Sequence, residues 1–338
     1  MKIVNNNKII IIILVTAAIA TSIIFASSIS SSTGDSSSTG HSSSTGHSSS
    51  TGHSSSTGHS SSNKVVILTF SGSSKSQYTN ARPILNEYGF KGSFFITCNW
   101  VGSSSSKSPY MTWQNIATLQ NEGHDIESEA MTHKALTKLS ANALDYEARQ
   151  SKRCLLNHDI NATVFSTPYG KGGNNATVIN TIAKYYNFSV SGFSNLMYLH
   201  CNGWKQRSGQ QQSDCSTYLH DGSLTYANRY SIKEWGHNTF DIKYSHNDTQ
   251  IFKVFVDEVN SQAQHNSNGV ILTIPIIAYH KIDNSKGRES TDVNLFAEEM
   301  KYLHDNRFKV ITMADLVYDE NNNYIRVRDI PGVTTGGR

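Results

Sequence analysis

Short apolar runs alternate with segments of helical periodicity along most of the chain after residue 63. Apolar residues recurring every three or four positions predict an amphipathic helix, whereas a short apolar run bounded by turn residues predicts a strand. The predicted strands are Val65–Phe70, Gly92–Thr97, His124–Ala130, Thr163–Pro168, Phe188–Phe193, Gly269–His280 and Lys309–Met313. The predicted helices are Thr79–Tyr88, a helix from the Thr112 cap to Gly123, another from the Ser140 cap to Asn157, Ala176–Tyr186, Ile251–Gln264 and Asn294–Asn306. This alternation predicts an α/β fold, a closed or distorted (β/α) barrel of about seven strands whose chemistry gathers at the carboxyl ends of the strands.

The N-terminal region has a different pattern. Lys2 and Lys8 precede an uncharged apolar run, Ile9–Ala26, that is just long enough to span a bilayer. We expect residues 1–30 to be a signal anchor, or a cleaved signal peptide, and both alternatives export the rest of the chain. The protein would then be held at the outer face of the cytoplasmic membrane, or be secreted if the signal is cleaved.

Residues 31–63 repeat the unit Ser-Ser-Ser-Thr-Gly-His. Such a tract buries too little apolar surface to fold and is expected to be a flexible stalk. Residues 64–320 are then the folded domain, and residues 321–338, which lack periodicity, are expected to be a disordered tail.

Charge and cysteine content narrow the function classes. The formal net charge is only +3, and no cluster of Lys and Arg follows a helix face, so the pattern excludes a nucleic-acid partner. The four cysteines, an even number in an exported protein, predict two disulfides in one of three pairings. We favour Cys201–Cys215, because these two residues bracket a polar loop with little to bury. Four buried free thiols are the alternative.

Polar motifs stand at the ends of several predicted strands. They read Thr-Phe-Ser-Gly-Ser at 69–73, Gly-His-Asp-Ile-Glu-Ser-Glu-Ala-Met-Thr-His at 123–133, Ser-Thr-Pro-Tyr-Gly at 166–170 and Tyr-His at 279–280. Over about residues 64 to 320 this series resembles the polysaccharide deacetylase (NodB-homology) family. The family's own motifs are Thr-Phe-Asp-Asp-Gly, Gly-His-Asp/Glu-Ile-x-Ser-His-x-x-x-His, Arg-x-Pro-Tyr-Gly and a late His.

The resemblance implies a chemistry and assigns positions to it. In that family one Asp and two His hold a divalent cation, the other Asp accepts a proton from water, and the late His protonates the leaving amine. By position, Ser71 stands where the base would be and Gly72 where the carboxylate ligand would be. Glu129 and His133 occupy the two histidine positions and could hold a metal, with zinc the expected ion, while His280 takes the place of the late His.

Several assignments have open alternatives. Glu129 could instead be a solvated carboxylate or a carboxylate at a helix N-terminus, and His133 a plain packed histidine. The resemblance assigns Tyr169 to substrate binding. Trp235, within the segment Lys233–His237, could line a sugar site or belong to an exposed amphipathic turn.

Two functions remain open from the sequence. One is a polysaccharide deacetylase-like protein of carbohydrate metabolism that hydrolyses the non-peptide C–N bond of N-acetylated sugars, weakened by the losses at Ser71 and Gly72. The other is a non-catalytic module that binds glycan or cell-envelope polysaccharide at the surface. A third hypothesis makes the histidines of the stalk a metal-capturing segment.

Overall fold

The computed structural model describes residues 63–102, 109–194, 196–199, 229–237, 247–321 and 324–328. The predicted N-terminal anchor, the stalk and the Cys201–Cys215 pairing lie outside these residues. Within the described part of the chain, none of the helices combines the length and the apolar character needed to cross a bilayer.

Strands and helices follow one another in the predicted alternation. The strands are β1 Val65–Phe70, β2 Ser93–Ile96, β3 Asp125–Ser128, β4 Val164–Ser166, β5 Phe188–Phe193, β6 Met197–Tyr198, β7 Ile232–Gly236, β8 Thr273–Ile274, β9 Ile276–Tyr279, β10 Lys281–Ile282, β11 Ser290–Thr291, β12 Lys309–Ile311, β13 Leu316–Asp319 and β14 Tyr324–Val327. The helices are α1 Arg82–Glu87, α2 Trp113–Asn121, α3 Ala141–Leu156, α4 Ala176–Ile182, α5 Asp248–Ser261 and α6 Val293–Asp305.

Seven parallel strands close into a barrel. They lie in the order β1, β2, β3, β4, β5, β7, β9, and β9 pairs back onto β1 with Ile67 opposite Ile276. A register irregularity between β5 and β7 distorts the ring, and β12 pairs beside the start of β1. The predicted barrel of about seven strands is therefore confirmed.

Alternation along β1 creates two apolar layers. Val65 and Ile67 belong to a cluster inside the barrel, whereas Val66, Leu68 and Phe70 belong to a larger cluster between the strands and the helices. Successive side chains of a strand point to opposite faces, so one unbroken apolar run serves both layers. Because all seven strands run in the same direction, the segments that follow them meet at one end, which we call the mouth.

The helix signals read from the sequence are confirmed where they depend on neighbouring residues. Thr112 caps α2 in a reciprocal capping box with Asn115, and the Ser140 side chain caps α3 by accepting from the N–H of Ala143. Gly123 follows α2 with φ +85°, a conformation that favours glycine.

The single long strand predicted for Gly269–His280 is wrong. Pro275 separates β8, which pairs antiparallel with β6, from β9, which enters the barrel. Proline has no N–H to donate to a ladder. Its carbonyl still takes part, because it accepts from the N–H of Ile67 at 3.1 Å.

Two further sequence predictions need correction. The segment Lys233–His237 is not an exposed amphipathic turn, because Ile232–Gly236 is the barrel strand β7. The chain from 321 onward is not wholly irregular, since β14 pairs antiparallel with β13 and buries Ile325 and Val327. Both segments are short and carry charged residues, so their strand character depends on the partner strands rather than on apolar content.

A disulfide joins Cys98, in the turn after β2, to Cys154 in α3, with Cα atoms 6.6 Å apart. The alternative of four free thiols is therefore wrong. The bond links two segments that lead to the mouth, since Trp100 follows Cys98 by two residues and α3 follows the β3 loop.

Candidate functional site at the mouth of the barrel

The ends of β1 and β9 are joined by one amide. Gln77 Nε2 donates to the carbonyl oxygen of Ser71 and to that of His280, each at 2.7 Å. The N–H of Ser71 donates to the carbonyl of Tyr279 at 3.0 Å, and the Ser71 residue is only 4% exposed. The two positions that the sequence assigned to base and late histidine are thus neighbours at the mouth.

Gly72 supplies a backbone donor where the family motif has a carboxylate. Its N–H donates to Glu129 Oε2 at 2.7 Å, with φ +89° at Gly72 and φ +53° at Ser73. A Cβ built on Gly72 would have the Trp100 ring as its nearest neighbour, at 3.8 Å. Space for a side chain therefore exists, but the positive φ of Gly72 strains any residue other than glycine. The carboxylate that reaches Gly72 comes from the end of β3.

Glu129 and His133 contact each other. Glu129 Oε1 lies 3.3 Å from His133 Nε2, and the Glu129 residue is 4% exposed, so the alternative of a solvated carboxylate is wrong. Burial lowers the pKa of His133, but the hydrogen bond and the negative charge of Glu129 outweigh it and raise that pKa above its usual value. The two side chains therefore form a buried ion pair when His133 is protonated.

The Glu147 side chain supports the loop after β3, which carries Glu129 and His133. Ala130 and His133 have φ of +64° and +59°, which is uncommon for residues with a side chain. The Glu147 carboxylate, buried on α3, accepts from the N–H of Met131 at 3.0 Å and of Thr132 at 2.8 Å, and also binds the Thr132 hydroxyl. The sequence analysis missed this residue, although an acid among the buried positions of an amphipathic helix was its signal.

An aromatic rim, made of Trp100, Tyr110 and Tyr169, surrounds His133. The His133 ring lies 4.6 Å from the Trp100 ring and 4.8 Å from that of Tyr169, and Tyr110 stacks on Trp100 at 5.3 Å. Tyr169, which the sequence assigned to substrate binding, is 59% exposed. Exposed aromatic faces beside polar groups suit a ring-shaped ligand with hydroxyl groups.

Glu234 lies inside the barrel, away from solvent. Its Oε2 accepts from the Thr69 hydroxyl at 3.0 Å. Burial raises the pKa of Glu234 to about 7; the hydrogen bond from Thr69 lowers it, and the charge of Glu129 raises it. Glu234 is thus a proton-binding group in the same electrostatic environment as Glu129.

Trp235, next along β7, points the other way. It belongs to the outer cluster between strands and helices, is 2% exposed, and so is not part of the mouth. His237 is also buried, where Nε2 lies 2.6 Å from Glu299 Oε1. The structure therefore does not bring Trp235 together with Tyr169, His133 and Glu129.

The donor set does not fit a firmly held divalent cation. Of the family's three ligand positions, Gly72 has no side chain, and the other two, Glu129 and His133, are paired with each other. Among the described residues, no group of three His, Cys, Asp or Glu side chains could hold a metal ion. Two protein ligands are fewer than the three or four that zinc sites use.

His280, which follows β9 at the mouth, has one ring nitrogen without a hydrogen-bond partner. This atom, Nδ1, is buried. Buried polar atoms normally have partners, so an unpaired one at a mouth is a position where a ligand can bind. Ser166, in the place of the family's Arg, is 5% exposed and carries no charge into the site. The mouth can therefore bind a neutral polar ligand through His280 and the aromatic rim, but lacks the family's paired aspartates.

Comparison with known proteins finds similarity to polysaccharide deacetylases. The family model described as Polysaccharide deacetylase matches residues 58–189. "Putative polysaccharide deacetylase YxkH" of Bacillus subtilis (strain 168) is 29% identical over 111 residues, which span 32% of this chain and 38% of that protein.

Solved structures are similar at lower identity. A family 4 carbohydrate esterase from Streptomyces lividans, in complex with acetate, has a TM-score of 0.47 and 13% identity, covering 79% of this chain and 99% of its own. A mutant of a CE4 family pseudoenzyme has a TM-score of 0.48 and 12% identity, covering 74% of this chain and 66% of its own.

Proposed function

We propose that this chain acts on N-acetylated polysaccharide and binds the glycan at the barrel mouth, because the polysaccharide deacetylase family model matches residues 58–189. The reaction is hydrolysis of the non-peptide C–N bond of the acetamide, at a rate far below that of a site with both aspartates. Tyr169 and Trp100 of the aromatic rim contact the sugar ring, and His280 Nδ1 binds one of its polar groups.

One observation supports the reduced rate of acetamide hydrolysis. The Glu129 carboxylate accepts from the Gly72 N–H through Oε2 and lies 3.3 Å from His133 Nε2 through Oε1, so both of its oxygens already have partners. Neither Ser71 nor Gly72 can accept a proton from water as an aspartate does. Removing a general base typically lowers a rate by about 10²–10⁴-fold.

The same observation favours a second candidate, a module that binds glycan without turnover. In this candidate the contact between Glu129 and His133 stabilises the mouth, and glycan binding depends on the aromatic rim. The two candidates differ in one measurable respect, since only the first releases acetate.

We also propose that the domain lies outside the cytoplasm, tethered by the N-terminal apolar run. The disulfide between Cys98 and Cys154 supports export, because such bonds persist in oxidising compartments. Cell-envelope polysaccharide is then the glycan within reach of a tethered domain.

The experiment compares acetate release from N-acetylglucosamine oligomers by full-length wild type and by Ser71→Asp/Gly72→Asp/Glu129→His, each with added zinc. The third change is needed because Glu129 otherwise occupies the Gly72 N–H that borders the new carboxylate. We expect oligomers to bind both proteins and the triple variant to release acetate at least about 100-fold faster.

Tyr169→Ala tests the aromatic rim, since it removes a ring that is 59% exposed and lies 4.8 Å from the His133 ring. It should weaken oligomer binding in wild type and in the triple variant alike. If the triple variant releases acetate, equal turnover by wild type would refute the reduced rate. Binding without acetate from wild type selects the second candidate, and absence of oligomer binding in both proteins would reject the proposal itself.

A further inference from the structure

A cleft separate from the mouth lies on the outside of the barrel, against α5. It has a volume of about 340 Å³ and is lined by Leu196, Tyr198, Trp235, Val254, Asp257, Glu258, Ser261, Gln264 and His265. The helix leads from the carboxyl end of β7 to the amino end of β9, so its last turn lies toward the end of the barrel opposite the mouth. Ser261, Gln264 and His265 come from that last turn and the short 3₁₀ turn after it.

Glu258 is the unusual residue of this cleft. It is among the buried residues of α5, beside Phe255 and Val259, yet it is a carboxyl and only 5% exposed. Its Oε1 is buried and has no hydrogen-bond partner. A buried polar group without a partner destabilises a folded domain, so its presence requires an explanation.

Burial raises the pKa of Glu258 to about 8. The other carboxyl of the cleft, Asp257, is engaged at the surface by Lys253, in an ion pair whose side chains are mostly exposed. No Lys or Arg is found among the described residues that line the cleft. The described lining therefore offers Glu258 no cationic partner.

The walls add a preference for shape. The Tyr198 and His265 rings pack edge to face at 5.3 Å, and Leu196 and Val254 supply apolar surface. Aromatic faces attract cations, and the volume has room for one monosaccharide-sized molecule. Ser261 and Gln264 offer further polar groups for hydroxyls.

We propose that this cleft is a second ligand site, which binds a primary ammonium compound of about monosaccharide size with its ammonium group on Glu258. The ligand supplies the donor that Glu258 Oε1 lacks, and Glu258 is ionised in the complex. The site requires neither acetamide hydrolysis nor glycan binding at the mouth, so it stands apart from the proposed function.

The test uses glucosamine and N-acetylglucosamine as matched probes, since they share a ring and differ in the charge of one nitrogen. Isothermal titration of the full-length protein at pH 7 should show glucosamine binding that Glu258→Gln weakens at least 10-fold. Asp305→Asn on α6 is the matched control, and it should change the affinity less than threefold because its exposed carboxyl, paired with Lys301, is not part of the cleft lining. Val254→Phe narrows the cleft from its apolar side and should also weaken the binding of glucosamine.

Tyr169→Ala separates the cleft from the mouth. It should weaken the binding of N-acetylglucosamine oligomers and leave the affinity for glucosamine unchanged. The proposal is wrong if wild type takes up no glucosamine at millimolar concentration, or if Glu258→Gln binds it as well as wild type does. It is also wrong if glucosamine is lost in Tyr169→Ala but kept in Glu258→Gln, because the amine then binds at the mouth.

Discussion

The disulfide between Cys98 and Cys154 allows a quantitative prediction, because it closes a loop of 56 residues. Replacing both cysteines by alanine releases this constraint from the unfolded chain. In the chain-entropy treatment, a loop of this length corresponds to about 14 cal/mol/K, or about 4 kcal/mol at 25 °C. We expect the double variant to lose about that much free energy of unfolding.

The effect is measurable by two independent assays. For a domain of this size each kcal/mol shifts the melting temperature by about 2–4 °C, so thermal unfolding should show a decrease of about 8–16 °C. Urea titration should show a lower midpoint. Reduced wild type serves as the control without any substitution, since breaking the bond chemically should reproduce the variant.

A local readout connects this bond to the site. Trp100 follows Cys98 by two residues and stacks on His133, which belongs to the loop that Glu147 of α3 supports. Loosening of the Cys98 turn should therefore change tryptophan fluorescence before global unfolding. A loss of less than about 1 kcal/mol in both the variant and the reduced wild type would refute the reasoning, since the loop would then be constrained by other contacts.

Three further predictions concern single side chains. Glu129→Gln should lower the free energy of unfolding by about 1 kcal/mol at pH 6 and by less at pH 9. The reason is the raised pKa of His133, because the stabilisation it gives is full below about pH 6.5 and disappears as the pH rises through that raised pKa. Equal losses in urea titrations at both pH values would contradict this. Glu147→Gln should cost about 1–3 kcal/mol and speed amide exchange at Thr132, whereas unchanged exchange would reject its supporting role. Gly92→Ala places a Cβ 2.6 Å from the Phe70 ring and should lower stability by about 1–3 kcal/mol in a thermal scan; an unchanged melting temperature would rule the clash out.

Local pattern was sufficient for most elements of the barrel. The apolar run of β1, the caps at Thr112 and Ser140, and the glycine after α2 depend on neighbouring residues, so their positions follow from the sequence. The motifs at the strand ends likewise indicated which residues meet at the mouth. Strand β7 was missed because it mixes charged and apolar residues, and only its two neighbours in the barrel make it a strand.

The identity of each contact was decided by the tertiary structure. The sequence showed that Ser71 and Gly72 lack carboxylates, and that Glu129 could still bind a metal. Closure of the barrel brings Glu129 to the Gly72 N–H, 57 positions away, and the loop after β3 brings Glu129 Oε1 within 3.3 Å of His133 Nε2. Such contacts depend on strand order and register, which no local periodicity encodes.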